Sequence, residues 1–259
     1  MKLRILLVIL GLLNLTIGFA NETDLKCQEK AVECFEKAIL YEENPKIFNP
    51  SKARKLYLQS CNSNYAKACY NLGAIYAIGE YIEQDFNKSK FFYTKACNLK
   101  GSILGCAGVG LLYEQGNGVK QDYKQAIQYY EKACDINESM GCNQLGIIYK
   151  FDDYQKENYP KALKYLEKSC NLNNAMGCSN LAHMYIKGLG VKKNILKSKK
   201  FYLRSCNLNG SLGCFGIGIM YFKGEAVEKN ILKARQFFKK SCKLGSKKGC
   251  SIFNHLRVK

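Results

Sequence analysis

The sequence predicts an all-α solenoid of two-helix repeats, each closed by a disulfide. Three observations carry that prediction. Cysteines recur at Cys61, Cys97, Cys134, Cys170, Cys206 and Cys242, and again at Cys69, Cys106, Cys142, Cys178, Cys214 and Cys250, always 36 or 37 residues apart. Between them, apolar residues fall at helical spacings of three, four and seven. Glycine-rich turns separate the helices, and no repeat can bury its apolar stripe without a neighbour, so the repeats must stack into a superhelix.

The best-formed repeat runs from Cys106 to Cys142. It reads as a helix from Cys106 to about Glu114, a Gly116-Asn117-Gly118 turn, and a second helix from about Asp122 to Cys134. Six such repeats and a closing half-repeat after Cys250 account for the chain. First helices follow a C-x-x-L-G-x-x-Y frame, as in Cys69, Leu72, Gly73, Tyr76 and in Cys142, Leu145, Gly146, Tyr149. Glycine inside a helix costs up to about 1 kcal/mol against alanine, so its recurrence predicts that another helix passes close. Second helices carry alanine or serine, then paired aromatics, then cysteine, as in Ala126, Tyr129, Tyr130, Cys134 and in Ser198, Phe201, Tyr202, Cys206. Aromatic stripes at helical spacing are expected in the core rather than as a stacking platform for bases or sugars. The first repeat has its first helix around Cys34 to Tyr41 and its second from near Pro50, a residue suited to a first helical turn. Repeat four departs from the frame at Lys150 to Tyr154, where a bulge is expected.

The ends and the cysteines bear on location. Lys2 and Arg4, an apolar run from Ile5 to Ile17, and Gly18-Phe19-Ala20 read as a signal peptide cleaved near Ala20. Residues 1–20 are therefore set apart from a single solenoid domain over 21–259. All fourteen cysteines follow that segment, which fits an oxidising compartment, either periplasm or exterior. Short cysteine and histidine clusters of zinc sites are absent, and His183 and His255 are the two histidines, so neither a metal nor a cofactor is implied. Two cysteines eight apart in one helix would stand about 12 Å apart, whereas a disulfide needs Cα atoms within about 7 Å. The chain must turn between them, and the repeat selects local pairs: Cys61–Cys69, Cys97–Cys106, Cys134–Cys142, Cys170–Cys178, Cys206–Cys214 and Cys242–Cys250. Cys27–Cys34 completes the set, although Leu25 to Tyr41 can also be drawn as one helix.

The period, the LGxxY–GxGV–KAxxYYxKAC order and the paired loop cysteines resemble Sel-like repeats, relatives of tetratricopeptide repeats. A disulfide in every repeat and the ending CKLGSKKGCSIFNHL are similar to the secreted Helicobacter cysteine-rich protein family. That resemblance implies a right-handed αα-superhelix, secretion, and contact with host or envelope proteins. It also implies penicillin binding with slow β-lactam hydrolysis, which would make β-lactams or peptidoglycan fragments ligands. It places the first helices on the concave side. There, positions two and five after the second cysteine share a face, holding Asn71 and Ala74, Gln144 and Ile147, Asn180 and His183. Side-chain amides carry donors and an acceptor and can bond an extended peptide or a terminal carboxylate. Asn71, Gln144, Asn180 and His183 are the candidate groove residues, with His183 expected to be exposed rather than catalytic.

The residues themselves give little to a catalyst. No serine begins S-x-x-K and K-T-G is absent, so the serine β-lactamase machinery is not recognisable. Bridged cysteines supply no thiolate. Charge points elsewhere. The formal net charge is +19, and residues 187–259 hold 18 Lys+Arg against Glu225 and Glu228, a net of +16. That basic third could attract anionic lipid, glycan or an acidic partner; nucleic acid does not suit an exported chain. A monomer that binds an extended peptide or protein is the expectation.

Overall fold

A computed structural model describes residues 30–99, 102, 104–151 and 158–256. The signal segment, Cys27 and most of the irregular stretch after Lys150 lie outside the described residues. What is described falls into two compact bodies, divided between Gly105 and Cys106.

The N-terminal body contains α1 (Ala31–Glu43), α2 (Pro50–Asn62), α3 (Ala66–Ile78) and α4 (Phe86–Asn98). The C-terminal body contains α5 (Cys106–Gln115), α6 (Tyr123–Asp135), α7 (Ser139–Lys150), α8 (Tyr159–Asn171), α9 (Ala175–Lys187), α10 (Ile195–Asn207), α11 (Ser211–Lys223), α12 (Ile231–Lys243) and α13 (Lys247–His255). Among the described residues every element is helical, as the repeat requires. Within each body a second helix packs on its own first helix and then on the next one, and α5, α7, α9, α11 and α13 neighbour one another in turn.

Each second helix begins at the same chemical signal. The side chain of Asn49, Asp85, Asp122, Asn158, Asn194 or Asn230 accepts a hydrogen bond from the backbone N–H three residues on, at 2.8–3.1 Å. Such a cap satisfies a donor that the first helical turn leaves unpaired and is worth about 1 kcal/mol. In five of the six, that third residue is a lysine whose ammonium lies 4.7–5.6 Å from the ring of the first-helix tyrosine: Lys52 over Tyr41, Lys88 over Tyr76, Lys161 over Tyr149, Lys197 over Tyr185, Lys233 over Tyr221. Four of these tyrosines also stack on the first aromatic of the second helix, Tyr76 on Phe92, Tyr149 on Tyr165, Tyr185 on Phe201 and Tyr221 on Phe237, with centroids 5.6–5.7 Å apart. The aromatic pairs thus hold each repeat together, as expected of core.

The recurrent glycine answers to the second aromatic position. A Cβ at Gly73 would stand 2.5 Å from the Tyr93 ring, and one at Gly110 would stand 2.7 Å from Tyr130. Gly146 meets Leu166 and Gly218 meets Phe238 in the same way. The close neighbour that the glycine predicted is therefore the second helix of its own repeat. At the far end of that helix the buried hydroxyls of Ser60, Ser169, Ser205 and Ser241 donate to the carbonyls of Ala31, Ser139, Ala175 and Ser211 at 2.6–2.9 Å. The end of the second helix thus lies beside the start of the first, and the pair is antiparallel.

Successive repeats are joined by the cysteine loops. Cys61–Cys69, Cys134–Cys142, Cys170–Cys178, Cys206–Cys214 and Cys242–Cys250 are bridged, with Cα atoms 4.4–4.8 Å apart. Cys34, Cys97 and Cys106 are disulfide-bonded as well. Three residues after the first cysteine the chain turns left-handed, at Asn64, Asn137, Asn173 and Asn209 with φ of 59–64° and at Gly245 with φ 88°. Asparagine and glycine tolerate that region best. Across the joint, Lys168 and Lys240 donate to the carbonyls of Cys134 and Cys206, one repeat back, at 2.6 and 3.0 Å. A cation there also suits the negative end of the preceding helix.

Closing an eight-residue turn should contribute about 2–3 kcal/mol by loop entropy. Replacing Cys170 and Cys178 together by alanine should therefore lower the thermal midpoint by several degrees in differential scanning calorimetry. An unchanged midpoint would contradict the role given to the bridge.

Candidate functional site

Aligning the repeats exposes a polar column on the first-helix face. Three positions build it: the residue after the first-helix tyrosine, the residue four before the first cysteine, and the residue two after the second. Repeats one and three fill them alike. In the N-terminal body the Tyr57 hydroxyl donates to Glu42 at 2.5 Å, with the Asn71 side chain close by. In the C-terminal body the Tyr130 hydroxyl donates to Glu114, with the Gln144 side chain close by. Both tyrosine rings are buried. Burial, then the neighbouring carboxylate, holds each phenol well above the ordinary tyrosine range. Both therefore remain protonated donors at physiological pH.

Asn71 lines a groove of about 380 Å³ with Glu42, Glu43, Arg54, Ala74, Ile78 and Tyr81. Phe48 and Tyr81 meet edge to face at its rim with centroids 5.4 Å apart, and both are exposed. This groove belongs wholly to the N-terminal body.

The other three predicted residues lie in the C-terminal body, on neighbouring α7 and α9. The Asn180 amide donates to Asn143 at 3.0 Å, and Asn143 donates to Gln144 at 3.1 Å. Gln144 also stands close to the Tyr130–Glu114 pair, so polar groups run from α9 through α7 to the α5–α6 pair. Helical geometry extends the row: Asn143, Ile147 and Lys150 share a face of α7, as Asn180, His183 and Lys187 share one of α9. His183 is half-buried, not exposed as expected, and among the described residues its Nδ1 has no hydrogen-bond partner. Burial, then the charges of Lys150 and Lys187, pushes the imidazole below its ordinary value. Burial likewise depresses the Lys150 ammonium.

Sequence reasoning had singled out Gln144, Asn180 and His183, which the structure brings to one face, and Asn71, which belongs to a different body. It missed Glu114, Tyr130, Asn143 and Lys150. The signal that could have found Glu114 and Lys150 is the column after the first-helix tyrosine, which reads Glu42, Ala77, Glu114, Lys150, Ile186, Phe222 while the tyrosine itself never changes. A variable, charge-bearing position beside an invariant core position marks a face that packing does not dictate.

The chain was compared with known proteins. The family model "Sel1 repeat" matches residues 28–40, 45–65, 66–100, 103–137, 139–174, 175–210 and 211–246. Over 57 residues, 22% of this chain, it is 46% identical to cytochrome c oxidase assembly factor 7 of Xenopus tropicalis and covers 24% of that protein. Among solved structures it is similar to c5321, a protective antigen present in uropathogenic Escherichia coli strains displaying an SLR fold, at 26% identity and a TM-score of 0.67. That match covers 91% of this chain and 51% of the antigen. Helicobacter pylori cysteine rich protein B is 41% identical over 53% of this chain and 98% of its own, with a TM-score of 0.43. The chain thus spans about a quarter of the assembly factor and about half of the antigen.

The pKa of His183 has a measurable consequence. An unfolded histidine takes its proton near 6.5, whereas the folded ring resists it to lower pH. Between those two values the unfolded state binds more protons, so stability falls as pH drops below 6.5. His183→Gln should flatten that decline in denaturant titrations run from pH 7 to pH 5. An identical slope in the variant would remove His183 as its source.

Proposed function

The chain belongs to the Sel1 repeat family, and from that premise we propose that it is an exported binding scaffold whose first-helix face holds an extended polypeptide. The observation that carries this reading is the amide row Asn180–Asn143–Gln144. Asn143 is buried and joins two repeats through Asn180, while Gln144 and Asn180 are only half-buried. Those two side chains have further donors and acceptors to offer, and an extended backbone carries the matching groups at regular intervals.

Export follows from the cysteine chemistry. A chain with a bridge at nearly every repeat joint is suited to the periplasm or exterior, reached after cleavage near Ala20. The basic residues from 187 onward would favour acidic partners or an anionic envelope surface, with an on-rate that falls as salt rises.

Penicillin binding and slow β-lactam hydrolysis, which the family resemblance implies, would need a hydroxyl activated by a nearby base. Ser60, Ser169, Ser205 and Ser241 instead spend their buried hydroxyls on backbone carbonyls. Binding rather than turnover is the reading carried forward.

The Asn180→Ala, Gln144→Ala double variant tests it. Losing two hydrogen-bonding side chains should weaken an extended peptide ligand about 10-fold, at about 0.5–1.5 kcal/mol for each bond, with disulfides and helicity unchanged. Isothermal titration against a peptide selected on the native protein reads the change. Equal affinity in the variant would overturn the assignment.

A further inference from the structure

The outer face of the second helices changes character along the C-terminal body. The second residue of each such helix and those four, seven and eleven further on share one face. In α6 that face reads Lys124, Gln128, Glu131, Asp135, and in α8 it reads Pro160, Lys164, Glu167, Asn171. In α10 it becomes Leu196, Lys200, Leu203, Asn207, and in α12 Leu232, Gln236, Lys239, Lys243. Acids give way to leucines and lysines. Leu196 and Leu232 are 66% and 60% exposed and Leu203 is 41% exposed, so packing between repeats does not account for them. The two helices carry Lys or Arg at four places on α10 and five on α12, and neither carries an acid. Among the described residues Lys200, Lys239 and Lys243 pair with no carboxylate. Both helices pack against α11, which in turn neighbours α9 and α13. The exposed leucines and lysines therefore stand on the side away from the first helices.

We propose that this face of α10 and α12 docks on the surface of an anionic phospholipid bilayer. The inference rests on the attraction to an anionic surface proposed above and gives it a defined place. The three leucine tips enter the headgroup boundary, and the lysines around them meet lipid phosphates. Lysine suits that place, because its stem lies along apolar surface while its ammonium stays with charge and water. Attachment of this kind grows with the apolar area buried and with the attraction to anionic lipid. A protein partner fits less well, since protein interfaces gather aromatics at an apolar centre and are depleted in lysine. Here the leucines stand apart, and the nearby rings of Phe201 and Phe237 are stacked on Tyr185 and Tyr221 within their own repeats. Rings spent in that way are not offered to a sugar either. A chain attached by this face keeps its first helices turned away from the lipid and free for a polypeptide.

The test uses the oxidised chain from Asn21 onward, the form left by cleavage near Ala20, so that the apolar run Ile5 to Ile17 does not itself bind lipid. Sedimentation with vesicles reads the bound fraction, on phosphatidylcholine alone and on phosphatidylcholine mixed equally with phosphatidylglycerol. The mixed vesicles should bind at least about 10-fold more tightly. Lys200→Gln, Lys239→Gln and Lys243→Gln together should remove most of that gain. Leu196→Ser, Leu203→Ser and Leu232→Ser together should weaken binding to mixed vesicles about 10-fold at constant charge. All six positions are exposed, so circular dichroism should be unchanged in both variants. Lys223→Gln, Lys247→Gln and Lys248→Gln remove equal charge from exposed sites on α11 and α13 and should cost far less. An equal loss there would leave the charge attraction standing and overturn the face. Equal binding to both kinds of vesicle would overturn the charge attraction and the face together, and unchanged binding in the leucine variant would overturn the insertion. Poly-glutamate bound by the native chain and not by the leucine variant, with no vesicle bound, would replace lipid by an acidic polypeptide. The Asn180→Ala, Gln144→Ala variant should bind vesicles as the native chain does; a loss there would move the lipid contact to the first-helix face and overturn the proposal.

Discussion

Between one repeat and the next the chain reverses direction within eight residues, and a disulfide holds the two ends of that turn less than 5 Å apart at Cα. Almost everything else in each body depends on this joint. A left-handed asparagine or glycine makes the reversal. The residue before the second cysteine is glycine at positions 141, 177, 213 and 249, because the start of the next first helix comes hard against the end of the second helix there. The lysines two before the first cysteine, Lys168 and Lys240, then tie the joint to the one before. With the joint fixed, a repeat places its apolar stripe against its neighbour without relying on a large core of its own.

The same regularity frees one face to vary. Tyrosine, glycine, the stacked aromatic and the capping asparagine or aspartate are spent on holding helices together. The residue after the first-helix tyrosine and the residue two after the second cysteine change from repeat to repeat. Along this face the chain passes from acid held by tyrosine, at Glu42 and Glu114, to an amide row, and then to a buried lysine and a half-buried imidazole. A repeat protein acquires specificity in this manner, by changing one column while leaving the packing columns alone.

The sequence made the packing columns legible because each repeats at a fixed interval and answers to a partner at a fixed offset. The period located every described helix, the glycine of LGxxY announced a close neighbour, and the cysteine spacing demanded a turn. The six capping residues were equally visible, three before Lys52, Lys88, Gln125, Lys161, Lys197 and Lys233, but they acquire meaning only when the helix start is known to the residue. The face was harder to read, because its contacts join different repeats. Tyr130 bonds Glu114 behind it, and Asn180 bonds Asn143 one repeat back, and neither spacing belongs to a helix. Lys150 read as part of an irregular stretch, whereas it closes α7 and carries the charge that sets repeat four apart. His183, expected in solvent, is shielded on the Nδ1 side, an outcome of how α7 and α9 neighbour one another rather than of its own helix.

The account stands or falls on where a polypeptide touches the C-terminal body. Side-chain and backbone amide shifts recorded while an extended peptide is added would show this directly. The account predicts that the largest changes fall on Asn143, Gln144, Asn180 and the His183 ring, with the outer surfaces of α8 and α10 unmoved. Shifts confined to those outer helices, with the amide row silent at saturation, would contradict it.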